Sequence, residues 1–187
     1  MKKLNEQLKD IAISRNLKYS GHITTNGYAL SPSIYKMLKE EFNVYRIEIT
    51  LDGSKEFHDK RRVTTSGIGS FDIIFNNLKA ITQSPFYDKN TCVISIRCNV
   101  DERNIEGVMP LLEMLYKHNM QDKIIFYTTP VVSWSNNGAG SMLGHKLLGK
   151  LSSKHIDYMI NHNFKVTILP KRVAPYQCIG TDNDAEM

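Results

Sequence analysis

The sequence predicts an α/β fold on a mainly parallel sheet. Runs of alternating apolar and polar residues recur along the chain, and segments with apolar residues three and four apart lie between them. Strands that alternate with helices imply right-handed βαβ units and so a parallel sheet. Asn-Gly, Asp-Gly and Ser-Pro pairs sit where one period gives way to the other and mark the breaks.

The elements follow in order. Leu4, Leu8, Ile11 and Ile13, with lysines and a glutamate between them, predict a helix over 2–16. Tyr19–Thr25 reads as a short strand, broken by Asn26-Gly27. Ser31 is placed to cap the next helix with Pro32 at its first position, and Ile34, Leu38 and Phe42 mark its buried face. Val44–Leu51 is a strand in which Ile47 and Ile49 alternate with Glu48 and Thr50, and Asp52-Gly53 ends it. A loop of about 15 residues leads to Ser70, read as the cap of a helix whose face is Phe71, Ile74, Phe75, Leu78 and Ile81. After a turn region over Gln83–Asn90, Thr91–Val100 is the third strand. A helix on Val108, Leu111, Leu112, Leu115 and Tyr116 must hold Pro110 in its first turn. Lys123–Val132 is the fourth strand and Ser133–Gly149 a long polar loop. Residues 150–162 are expected to be helical, Lys165–Leu169 a short fifth strand, and the stretch from Pro170 lacks periodicity.

The 187 residues suit one domain, with 41% hydrophobic and 23% charged residues. No apolar run approaches the ~18 residues of a membrane helix, and the basic start Met1-Lys2-Lys3 has no apolar run behind it. The expected compartment is the cytoplasm, with no membrane partner. The net charge of +5 points weakly to an anionic partner. Lysines and arginines are spread along the chain, so a solvated basic surface accounts for it better and nucleic acid is not the expected partner. Cys92, Cys98 and Cys178 are too few and too far apart for a disulfide framework or a zinc site, and the first two fall in an apolar strand.

Ligands of such folds bind at the carboxyl ends of the strands. Here those ends are Asn26-Gly27, Thr50-Leu51-Asp52-Gly53, Asn99 with Asp101, and Thr128-Thr129-Pro130. Thr50 and Asp52 put a hydroxyl and a carboxylate at one strand end, spaced for a sugar or an amino-acid group; the alternative is a plain turn. His58-Asp59-Lys60-Arg61-Arg62 could clamp a carboxylate through paired guanidinium donors, or form a solvated charged loop. His22 reads as a strand residue, and His145, His155 and His162 have no zinc-protease spacing. Ser66-Gly67-Ile68-Gly69-Ser70 suggests a phosphate nest but departs from the common phosphate loops, so a turn leading into a helix fits better. Tyr127 and Trp134 fit a pocket lining or aromatic core.

These pieces occur in a familiar order. Ile23–Gly27 resembles the "TNG" strand end of radical S-adenosylmethionine (SAM) maturases with SPASM-type C-terminal extensions. Ile47–Gly53 resembles their "xISLDG" strand, and Glu56–Arg62 the "xxHDxxR" that follows. Gly67–Phe71 resembles "GxGSF", and Ile96–Asp101 with Asn104 resembles "R-x-N-V-D-x-x-N". Ile125–Pro130 falls where the sixth barrel strand belongs, so the resemblance spans about 19–132; sulfatase-maturing and ribosomal-peptide maturases are the nearest groups. It implies a partial radical SAM (β/α) barrel over 1–169, carrying strands 3 to 6 and a short extra strand. Residues 170–187 would begin an irregular SPASM-type region, with Cys178 as an auxiliary-cluster ligand. It also implies SAM and a [4Fe–4S] cluster in the full-length parent, and hydrogen abstraction from a peptide or protein substrate. By position, Thr50 would meet the SAM ribose or methionyl end, Arg62 its carboxylate, and Asp52, Asn26 and Asn99 would lie at the pocket. The family's CxxxCxxC and GGEP motifs have no match. The chain is therefore expected to be a piece of such a maturase, inactive alone and prone to self-association through an exposed barrel edge. The alternatives are a cluster-free peptide-binding or partner subunit, and a βα protein that binds an anionic metabolite or nucleic acid, the last suggested only by the basic charge.

Overall fold

A computed structural model describes residues 2–131 and 145–166. Its centre is a four-stranded sheet, all parallel, in chain order: β1 (Gly21–Thr25), β2 (Val44–Thr50), β3 (Val93–Val100) and β4 (Ile124–Pro130). The sheet is open, with β1 and β4 at its edges among the described residues. Helices α1 (Lys2–Ser14), α2 (Pro32–Glu40), α3 (Lys55–His58), α4 (Phe71–Thr82), α5 (Val108–Lys117) and α6 (His145–Asn161) surround it. None of the described helices is long and apolar enough to cross a membrane.

Register divides the sheet into two chemically different faces. Ile47 pairs with Ile94 and Ile49 with Ile96, and Ile94 and Ile96 pair in turn with Ile124 and Phe126. These side chains form the core with Leu38, Ile74, Leu78, Leu111 and Leu115 from α2, α4 and α5. The alternate residues of the same strands, being one position along, point to the other face. There Thr24, Glu48 and Ser95 lie side by side, and Thr50, Arg97 and Tyr127 form the next row. One face of the sheet is thus apolar and packed against helices, and the other carries the polar side chains.

Several local expectations hold. Ser31 Oγ accepts from Ile34 N at 3.2 Å, with Pro32 first in α2. Pro110 lies in the first turn of α5, behind a 3₁₀ turn over Ile105–Gly107. Cys98 is buried on the apolar face of β3, and Cys92 is buried just before that strand. Burial pushes the Cys98 thiol up to about 12.

Others are corrected. The first helix ends at Ser14, and the residues that predicted it (Leu4, Leu8, Ile11, Ile13) are its exposed ones. Asn5 and Ala12 are buried instead, because Asn5 joins Glu41 O and Tyr19 Oη by hydrogen bonds of 3.0 and 2.9 Å. The loop after Gly53 contains α3. Ser70 does not cap α4: its hydroxyl turns back to Arg62 O at 2.8 Å, and Asp59 Oδ1 takes the Phe71 N–H at 2.9 Å. Gly69 makes room for this, since a Cβ there would meet the Asp59 carboxyl group at 2.2 Å. The glycine-rich segment is thus a turn into a helix. Helix α6 starts at His145, inside the span expected as loop; residues 132–144, with Trp134, lie outside the described residues. The expected fifth strand is seen only as a parallel bridge from Lys165 to Ile125, the rest of it lying outside the described residues.

Gly27 ends β1 with φ +78°, and a Cβ on it would meet Ile49 Cγ2 at 2.9 Å. Gly67 has φ +77° but nothing within 4 Å. Alanine at Gly67 should cost about 1 kcal/mol, the left-handed backbone penalty alone. Alanine at Gly27 should cost at least about 1 kcal/mol more, because the sheet must also move. Urea unfolding of the two variants measures the difference, and equal losses would show that close approach at Gly27 is unimportant.

Candidate functional site

The carboxyl ends of β2 and β3 are joined by one buried carboxylate. Asp52, two residues past β2, is 1% exposed. Its Oδ1 accepts from Asn99 N at 3.0 Å and Asn99 Nδ2 at 3.1 Å, and its Oδ2 accepts from Arg62 Nε at 2.6 Å. Its backbone N–H donates to His58 Nδ1 at 3.1 Å, and its carbonyl accepts from Asn104 Nδ2 at 3.0 Å. The same Asn104 amide reaches Asn99 O at 2.7 Å, while its Oδ1 takes the Asp101 N–H at 2.8 Å. Every motif residue in this knot satisfies a buried polar group that would otherwise be costly.

Electrostatics follow from burial and partners. Burial pushes the Asp101 carboxyl group up, but Arg103 (2.7 Å) and Arg61 (3.1 Å) outweigh it and hold it below the usual carboxylate range. His58 is fully buried between Asp52 N and Ser70 Oγ, the latter at 3.0 Å. Since Nδ1 accepts a backbone N–H and Ser70 spends its proton on Arg62 O, His58 is the neutral Nε2–H tautomer. Burial lowers its proton affinity, and the nearby Asp52 and Asp59 carboxylates do not restore it.

The expected site residues divide into three groups. Asp52, Arg62 and Asn99 meet in the network just described. Thr50 ends β2 beside them; its hydroxyl makes no hydrogen bond among the described residues. Arg62 uses only Nε within them, which leaves its terminal nitrogens for another partner. Asn26 is not drawn in: it is exposed, one residue past the Thr25–Ile49 pair, and its Oδ1 closes a local turn on Tyr28 N at 3.1 Å. Cys178 lies outside the described residues.

A further group was not assembled by the sequence reading, which offered Tyr127 alone, as pocket lining or aromatic core. On the polar face, Glu48 is buried and accepts the Tyr127 hydroxyl. Arg97 Nη1 and Arg46 Nη2 stand 3.8 and 3.9 Å from its two oxygens. Burial pushes the Tyr127 hydroxyl up to about 12, and the Glu48 carboxylate adds to this. The available signal was the charged residues at every second position of Arg46-Ile47-Glu48 and of Ile96-Arg97-Cys98, where a parallel strand covered on both sides would be apolar throughout.

The donor set suits one implied cofactor and not the other. A hydroxyl and guanidinium nitrogens that make no hydrogen bond among the described residues, at a strand end, suit the ribose and carboxylate of SAM. A cluster needs several convergent thiolates. Cys92 and Cys98 are buried with proton affinities raised by that burial, and no group of three metal-ligating side chains occurs among the described residues.

The buried histidine sets a pH dependence. The unfolded chain protonates His58 near pH 6.5, and the folded chain only lower. The stability it contributes is complete above about pH 6.5 and is lost as pH falls toward the folded value. His155, also lowered by burial, acts in the same direction. Urea midpoints should fall between pH 7.5 and pH 5.5, less steeply in His58→Gln and least in His58→Gln/His155→Gln. An unchanged slope in both variants would remove these residues as the cause.

No protein-family model matches the chain. Over 70 residues, 37% of its length, it is 37% identical to the cysteine-type anaerobic sulfatase-maturating enzyme of Clostridium novyi (strain NT), 18% of which is covered. Its fold matches native anSMEcpe with bound AdoMet at a TM-score of 0.64 and 18% identity, over 87% of this chain and 43% of that one. The match to native anSMEcpe with bound AdoMet and Kp18Cys peptide has a TM-score of 0.62 at 19% identity, over 87% and 44% of the two chains. The chain spans less than half the length of the proteins it matches. The chain is thus similar in sequence, over one stretch, to an anaerobic sulfatase-maturating enzyme, and it shares over most of its length the fold of anSMEcpe.

Proposed function

We propose that this chain binds SAM at the carboxyl ends of its strands and serves a maturase that modifies a peptide or protein by hydrogen abstraction. The observation that carries the reading is that the Thr50 hydroxyl and the Arg62 terminal nitrogens, beside the buried Asp52, make no hydrogen bond among the described residues. Structures of the same fold hold AdoMet, one of them with a peptide. Arg62 pairs with the methionyl carboxylate and Thr50 meets the ribose or methionyl end. Asp52 and Asn99, whose polar atoms are occupied by each other and by Arg62 and Arg97, act by positioning. Asn26 offers its free amide nitrogen at the rim. When bound, SAM supplies the carbon that takes hydrogen from the substrate.

The residues that hold SAM are separable from those that hold a cluster. Cys92 and Cys98 are buried, and no group of three metal-ligating side chains occurs among the described residues, so this chain alone should not assemble a catalytic cluster. Calorimetric titration should show SAM binding that weakens about tenfold or more in Arg62→Ala, and less in Thr50→Ala. Unchanged affinity in Arg62→Ala would reject the carboxylate clamp. Anaerobic reconstitution should leave the chain without stoichiometric iron or a cluster absorption band, and either would reject the separation.

A second reading, a partner subunit or self-associating piece, is favoured by β1. That strand has a neighbour on one side only among the described residues, and Leu4, Leu8 and Ile11 of α1 are exposed nearby, Leu4 and Leu8 in one groove with Gly21 and Ile23. Sedimentation should show concentration-dependent association that Leu8→Glu/Ile11→Glu weakens. A monomer at every concentration would reject this reading.

A further inference from the structure

The polar face carries more positive charge than it neutralises. Glu48 is the carboxylate there, and Arg46 and Arg97 flank it. Both ion-pair distances, 3.9 and 3.8 Å, are too long for hydrogen bonds, because the carboxylate has turned to the Tyr127 hydroxyl. Each arginine is anchored through Nε alone, Arg46 to Ser95 Oγ and Arg97 to Asn99 Oδ1, both at 3.0 Å. Their terminal nitrogens make no hydrogen bond among the described residues, yet their side chains are only 31% and 39% exposed. Two guanidinium groups are thus held in fixed positions with their forked donors unspent.

The space beside them suits a chain segment. Arg46 and Tyr127 line a cleft of about 700 Å³ between β4 and α6, together with Ser152 and His155 of α6 and with Lys165, which bridges to β4 at Ile125. His155 is 5% exposed, and its Nδ1 has no partner among the described residues. The cleft therefore offers cationic and hydrogen-bonding groups with no carboxylate of its own among its lining residues. Arg97 continues the positive surface toward Thr50, its partner in register, and so toward the proposed SAM site.

We infer that the Arg46–Arg97 face binds a carboxylate of the substrate, so that the peptide acted on is acidic near its point of modification. A guanidinium fork with its Nε fixed presents two parallel N–H donors, the arrangement that favours a planar carboxylate over a neutral amide. The inference rests on the peptide-maturase reading and adds to it the chemical class of the substrate. Arg97 has the second role of holding Asn99, and through it Asp52, so Arg46 is the cleaner probe.

The test uses the full chain and two hexapeptides carrying one neutral dye, Ala-Glu-Ala-Glu-Ala-Glu and its glutamine counterpart, read by fluorescence anisotropy at low salt. The glutamate peptide should bind about tenfold more tightly. Arg46→Gln should reduce that preference several-fold, Arg46→Gln/Arg97→Gln should abolish it, and Arg97→Lys should keep part of it. Lys89→Gln, on the surface beside Asp122, should leave it intact. Equal binding of the two peptides would overturn the inference, and so would an equal loss in Lys89→Gln, since that would mean attraction to the basic surface as a whole. SAM affinity is measured on the same samples. SAM binding without a peptide preference rejects this inference alone, whereas loss of both also rejects the reading on which it rests.

Discussion

The arrangement of this molecule depends on the buried side chain of Asp52. A carboxylate almost without solvent must be compensated by hydrogen bonds or positive charge, or it costs several kcal/mol. Here the compensation comes from two places in the chain, the backbone and side chain of Asn99 and the guanidinium of Arg62, while Asn104 ties the Asp52 carbonyl to that of Asn99. The requirement fixes where β2 and β3 end relative to each other. It also carries Arg62, which would otherwise lie on a charged loop, to the carboxyl edge of the sheet. The loop between is held by the same hub, since His58 spends one nitrogen on Asp52 N and the other on Ser70, whose hydroxyl returns to Arg62 O.

Close packing serves the same end. Gly53 has φ +104°, and a Cβ on Gly107 would meet the Phe57 ring at 2.5 Å. The Ser54 N–H reaches Gly107 O at 2.9 Å. The loops after β2 and β3 therefore lie against one another, and the gap between the strand ends is closed by backbone and aromatic carbon. Within that frame the two faces of the sheet have separate tasks. The aliphatic face, buried against α2, α4 and α5, supplies the stability. The other face can then hold arginines and a glutamate whose burial the core offsets.

The order and type of the elements were readable because helix and strand periods are local properties. The alternation around Ile47 and Ile49 and the face Phe71, Ile74, Phe75, Leu78 of α4 needed no partner to be recognised. Errors arose where tertiary contacts overrode local preference. Ser70 has the composition of a cap but spends its hydroxyl elsewhere, and Asp59, twelve residues before α4 begins, takes the capping place through the space at Gly69. In α1 a polar residue, Asn5, is the buried one because two partners await it.

The sequence by itself determined an α/β chain of parallel strands, the motifs at their carboxyl ends, and the candidates Thr50, Asp52, Arg62 and Asn99. Only the tertiary structure decided how those candidates are employed. Asn99 meets Asp52 across 47 residues and Asn104 meets it across 52, distances over which no periodicity carries information. Of the adjacent arginines, Arg62 turns to Asp52 and Arg61 to Asp101, a division that depends on which buried carboxylate lies within reach. The face formed by Arg46, Glu48, Arg97 and Tyr127 likewise exists only through strand register, since it joins residues from three strands that share no local pattern.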